Sequence, residues 1–215
     1  MNINPRDSWS SAELRIFKRL STPPKIQHYL DTLPYNIDPI ARSPRQVLRH
    51  KRAHCFDGAL FAAAALEVQG YPPLLMDLRA TDEDDDHVLA IYQEQGHYGA
   101  IAKSNYTGCR YRDPVYRTLR ELAMSYFNIY FNLAGKKTLR EYSSLFDLRN
   151  ISDFDWRFTS EDVDTLGFRL DRIRHYRLIS RKQERLLIAA DDRLFRAETL
   201  GLDPRGAHKV KNSRL

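Results

Sequence analysis

Cys55 is the side chain best suited to nucleophilic chemistry in this 215-residue chain, and Cys109 is the only other cysteine. A thiol attacks a carbonyl as its thiolate, so it needs a base to take its proton. Cys55 sits in RAHCFDGALFAAAALEVQG, residues 52–70, directly before a run (58–66) that is apolar nearly all round. Such a run reads as a buried helix. Gly70, with Pro72 and Pro73 behind it, is a stop signal. Cys55 is therefore expected at the N-terminal end of a core helix. The helix dipole and free N–H groups there lower a thiol's pKa, and the same N–H groups can hold an oxyanion. The competing reading is a small buried apolar residue, the usual fate of a free cysteine.

Seven histidines are candidate bases. His54 adjoins Cys55, so its ring is expected to point elsewhere, and His50 reads as a solvated residue on the preceding helix. His87 opens an apolar strand after an acidic loop, in a segment that can lie beside the Cys55 helix. A histidine at a strand mouth can face a helix N-terminus across a short gap. The plain alternative is a surface histidine.

The surrounding pattern supplies the elements that would position this pair. Leu14, Phe17 and Leu20 mark a short amphipathic helix over 10–20. Thr22 before Pro23 and Pro24 opens a second, ending near Pro34. Ser43-Pro44-Arg45-Gln46 reads as a capping box opening a third, which stops before Cys55. Residues 74–78, 87–92 and 98–102 read as strands, the last two a hairpin turning at Gln93-Glu94-Gln95-Gly96. Asp113-Pro114 is expected to cap a long helix through Val115, Leu119, Leu122, Tyr126, Ile129 and Leu133. Residues 168–179 alternate apolar and basic, which fits a strand with a charged outer face. Residues 180–200 read as a helix, and the last dozen as disordered.

The words SPRQVLRHKRAHCFDGALFAAAAL, GYPPLLMDL and DDDHVLAIYQEQGHYGAIA, in this order, resemble the core of the transglutaminase-like superfamily of cysteine enzymes. More narrowly, the chain is similar to bacterial proteins described only as transglutaminase-like. The likeness covers residues 26–102, with core motifs extending to about 133. Nine residues, 88–96, separate His87 from His97-Tyr98, as the family's wording requires, and Tyr35 matches its aromatic segment before the nucleophile helix. The resemblance implies a papain-like fold, Cys55 as nucleophile and His87 as general base and acid. Its third member is an Asp fifteen residues past the His, where this chain has Ala102. Asn105 is the preferred replacement, since an Asn orients the His in papain-type sites. Ser104 and Asp113 stand behind it. A lost Asp is also what a non-catalytic descendant would show.

The expected class is α+β: a transglutaminase-like, papain-like core (1–148) of helices packed on a small antiparallel sheet, with a C-terminal extension (149–215) ending in a basic tail. The expected function is thiol-dependent acyl transfer from an amide or other acyl carbonyl of a peptide, protein or small molecule, to water or an amine. Alternatives are a non-catalytic interaction module on the same fold and, third, a basic nucleic-acid-associated protein. The formal charge of +6 permits an anionic partner, but Asp171 and Glu184 interrupt the basic stretch 169–185, so nucleic acid is disfavoured. No run of about 18 apolar residues spans a membrane. MNINPRDSWSSAEL lacks a signal-peptide core, and two cysteines make no disulfide framework, so the expected setting is cytoplasmic. No cofactor motif is found. The acidic run 83–86 matches no metal-ligand spacing and is expected to raise the pKa of His87 and favour a thiolate–imidazolium pair. Sequence leaves the oligomeric state open.

Overall fold

The computed structural model describes residues 8–215; residues 1–7, part of the stretch read for a leader, lie outside it. Four helices come first: α1 (Ser11–Arg19), α2 (Pro23–Thr32), α3 (Pro44–His50) and α4 (Cys55–Val68). Ser10 closes a full capping box on α1 through Glu13, whereas Ser43 accepts from the Gln46 N–H with no return bond from the Gln46 side chain. The Gln46 side chain turns instead to His50. Helix α4 is buried along residues 56–66, which is why its sequence shows no polar face. Gly58 lets the chain after the hairpin come close: a Cβ there would lie 2.4 Å from Lys103 Cβ. Gly70 ends the helix at φ +92°.

The strands are β1 (Leu74–Arg79), β2 (His87–Glu94), β3 (His97–Ile101), β4 (Arg112–Tyr116), β5 (Glu141–Ser143), β6 (Phe146–Asp147) and β7 (His175–Arg177). They form one antiparallel sheet in the order β4-β3-β2-β1-β5-β7, with β6 also on β1. Helices packed on this sheet give the α+β class expected. The pleat sorts β2 into two layers. Val88, Ala90 and Tyr92 pack with α4 in one core. Leu89 and Ile91 pack with Met76, Leu78, Cys109, Leu122, Tyr126 and Tyr130 in the other. His87 shares the parity of the second set.

Three expected elements are replaced. The long helix after Asp113-Pro114 is instead strand β4, then α5 (Leu119–Met124), then irregular chain; Thr118, not Asp113, is the N-cap. Strand β4 is an edge, where Pro114 costs no ladder bond, and the aromatic run after Ser125 packs through turns. Residues 168–172 belong to α6 (Asp164–Arg172), which buries Leu166 and Leu170 one turn apart; only 175–177 is strand. Residues 180–200 hold two short helices, α7 (Arg181–Glu184) and α8 (Asp192–Glu198). The tail is not loose. Pro204–Gly206 forms a 3-10 turn, the Arg214 N–H donates to Leu133 O at 2.8 Å, and its guanidinium donates to Ala190 O at 2.9 Å. No helix among the described residues is long and apolar enough to cross a membrane.

Candidate active site

Residue 53 anchors the approach to the nucleophile. Tyr35 forms a parallel bridge with Ala53, Asn36 N–H donates to Ala53 O at 3.0 Å, and Ala53 N–H donates to Pro34 O at 3.3 Å. This lays Tyr35 beside the head of α4, where the Cys55 N–H acts on its hydroxyl. His54 is the N-cap. Its Nδ1 accepts from the Phe56 N–H at 3.1 Å, and its Nε2 lies 3.3 Å from Asp57 Oδ1. His54 therefore caps the helix through Nδ1, while its ring also lines the cavity that holds Cys55 and His87.

Asp57 is the buried hub behind Cys55. It accepts from the Arg42 N–H at 2.6 Å, the His54 N–H at 3.3 Å and Asn36 Nδ2 at 3.3 Å. Sequence reasoning missed Asp57 and Asn36. The signal was present, since Asp57 holds the third helical position that a capping box reserves for an acid.

Cys55 and His87 line one cavity of about 360 Å³ at the end of the sheet. Residues 35–38, His54, residues 84–86, 104–106, Cys109, residues 129–131 and the tail residues 205–208 complete its walls. The sulfur meets the residues on either side of His87: its thiol donates to Asp86 O at 3.9 Å, and the Val88 N–H points at it. No hydrogen bond joins Cys55 to the His87 ring among the described residues. The pleat explains this, because the ring turns to the layer opposite α4. There its Nε2 donates to the Cys109 carbonyl at 2.8 Å, and the ring meets Tyr130 edge-on. Since a carbonyl only accepts, the proton is fixed on Nε2 and Nδ1 keeps its lone pair. Nδ1 has no hydrogen-bond partner among the described residues.

The partner of His87 Nε2 is therefore a main-chain carbonyl, and none of the residues expected to orient the ring bonds it among the described residues. Asn105 lines the cavity, but its carboxamide is spent on the tail: Nδ2 donates to Asp203 O at 2.8 Å, and Oδ1 accepts from the Asp203 N–H at 2.9 Å. Ser104 accepts from the Tyr106 N–H at 2.9 Å. Asp113 is exposed on β4, outside the cavity. Ala102 is sealed, its main chain held on both sides by Gln27.

The charge state differs from the expected ion pair. Burial pushes the Cys55 thiol up to about 12; the Val88 N–H pulls the other way, the charges of Asp57 and Asp85 add to the rise, and the Phe56 N–H opposes it. Burial likewise pushes His87 down to about 4, outweighing the Cys109 carbonyl, and the Arg112 charge lowers it further. The acidic run does not raise it. The resting pair is a neutral thiol and a neutral imidazole. Tyr35 stays protonated, raised well above its ordinary value by burial first and by the charges of Cys55 and Asp85.

Burial also raises Asp84 and Asp86 to about 6. Asp84 bonds Thr138, and Asp86 accepts from the Ala80 N–H at 2.7 Å. The carboxylates of Asp77, Asp86 and Asp171 converge within 4.8 Å, with Asp77 already bonded to His175 at 3.0 Å. The remaining members of the run are tied elsewhere, Glu83 to Lys136 and Asp85 to His208. Neither a protein-family model nor a curated protein matches this chain.

Proposed function

We propose that the protein is a cysteine-dependent acyl-transfer enzyme on a transglutaminase-like, papain-like core. The observation that carries this reading is the shared cavity: a helix-head thiol and an imidazole tautomerically fixed by the Cys109 carbonyl open onto the same space. A neutral thiol and a neutral base call for concerted chemistry. His87 Nδ1 takes the thiol proton as sulfur attacks the acyl carbon. The Tyr35 hydroxyl, which lines the same cavity and receives the Cys55 N–H, is the donor assigned to the developing oxyanion. His87 then returns its proton to the leaving amine, and the thioester passes its acyl group to water or an amine. Aromatic walls from Tyr35, Tyr130 and Phe131 suit an apolar acyl group, while Asp84, Asp85 and Asp86 suit a cationic neighbour.

The second reading, a non-catalytic module on the same fold, is favoured by the thiol's contact with Asp86 O in place of His87. Incubation with p-nitrophenyl acetate, followed by peptide mass spectrometry, separates the two. The enzyme reading predicts one acetyl group on the Cys55 peptide, absent in Cys55→Ala with the fold retained. Acetyl groups on lysines alone would support the module.

A further inference from the structure

The tail brings a second imidazole into the cavity. Three contacts deliver it. Asn105 clamps the Asp203 main chain through both hydrogen bonds of its carboxamide. Gly206 lies so close to Tyr35 that a Cβ would fall 2.8 Å from its ring. Arg214 anchors the chain beyond by its bonds to Leu133 and Ala190. Between these, His208 Nδ1 meets Asp85 Oδ1 at 2.9 Å. A carboxylate on Nδ1 fixes the proton there and leaves the Nε2 lone pair free, the arrangement a general base needs.

His87 and His208 line the same cavity but differ in exposure. The His87 ring is buried beneath the sheet end, whereas the His208 side chain is about a third exposed (32%). An acceptor molecule entering from solvent meets His208 first. Resting on the Cys55–His87 reading above, we propose that His208, oriented by Asp85, is a second catalytic base that activates the acyl acceptor. His208 Nε2 takes a proton from water or a primary amine as its oxygen or nitrogen bonds the thioester carbon. The carbon–sulfur bond then breaks, its electron pair leaves on Cys55 sulfur, and the proton held by His208 passes to that thiolate. The cycle ends with acid or amide released and both imidazoles neutral.

The test separates the two halves of the reaction. Cys55 is loaded with acetyl from p-nitrophenyl acetate, excess reagent is removed, and the acetyl-protein is followed by intact mass in buffer. His208→Gln should load at the wild-type rate but lose its acetyl group at least tenfold more slowly, and Asp85→Asn should slow the loss in the same direction. Added imidazole should restore the loss in His208→Gln. Decay at the wild-type rate in both variants would overturn the proposal. So would slower loading in His208→Gln, which would put this ring in the first step. If wild-type Cys55 never takes the acetyl group, the Cys55–His87 reading itself fails, and that result is distinct from a normal load with unchanged decay.

Discussion

Protonating His87 should cost the fold its stability, and the structure sets the size. The ring lies at about 4 in the folded protein against an ordinary 6.5. At about 1.4 kcal/mol per unit, the difference is about 3 kcal/mol. The unfolded ring binds its proton as pH falls through about 6.5, whereas the folded ring resists until about 4. Unfolding therefore takes up a proton in that window, and stability falls as pH drops across it. Asp84 and Asp86 titrate oppositely: raised to about 6, they gain protons first in the folded state and add stability over the same range. The wild-type profile alone mixes these effects, so the comparison is with His87→Gln, which removes the ring and leaves both carboxyls. Urea unfolding at pH 7, 5.5 and 4.5 should show wild type losing about 2 kcal/mol relative to the variant by the lowest pH, with the rest of the difference falling at still lower pH. Parallel profiles would mean the ring is hydrated or charged, and the neutral-base account would fall.

The raised thiol makes Cys55 a slow alkylation target. A shift from 9.0 to about 12 cuts the thiolate about a thousandfold. Partial compensation by higher nucleophilicity leaves iodoacetamide labelling roughly 50-fold slower than for a free cysteine at pH 8. Peptide mass spectrometry should show the rate still climbing beyond pH 10, and a plateau below pH 8 would reveal a preformed ion pair. His175→Ala should cost about 3–5 kcal/mol in urea unfolding, because it strands the buried Asp77 carboxylate beneath β7; a loss under 1 kcal/mol would mean that water or Arg79 replaces the ring. Gly58→Ala should cost about 1–3 kcal/mol through its collision with Lys103, measured by thermal unfolding; an unchanged midpoint would show that this contact yields freely.

The legible parts of the chain were those where local chemistry and tertiary packing agree. The Ala-rich run, Gly70 and the alternating hairpin each announced α4, its stop and the β2–β3 pair, and the Cys55–His87 cavity followed from their order. Where long-range packing overrides local pattern, sequence misled. Residues 113–133 carry helical spacing, yet pairing of Tyr116 with Tyr98 captures their start as an edge strand. Leu166 and Leu170 were hidden by the alternation that begins at Phe168. The partner of His87 Nε2 was illegible in principle, because a main-chain carbonyl leaves no residue type to find. Asn105 had a suitable carboxamide, but the structure commits it to Asp203, a partner 98 positions away. The thiol's elevated pKa was likewise out of reach, since burial overturns the helix-terminus effect that sequence could register.

The claim that His87 takes the Cys55 proton is tested most directly by single-turnover acetylation of Cys55 with p-nitrophenyl acetate at pH 7, comparing wild type with His87→Gln of matched circular dichroism. Removing a general base should slow acetylation by about 10²–10⁴-fold. An unchanged rate would contradict the account.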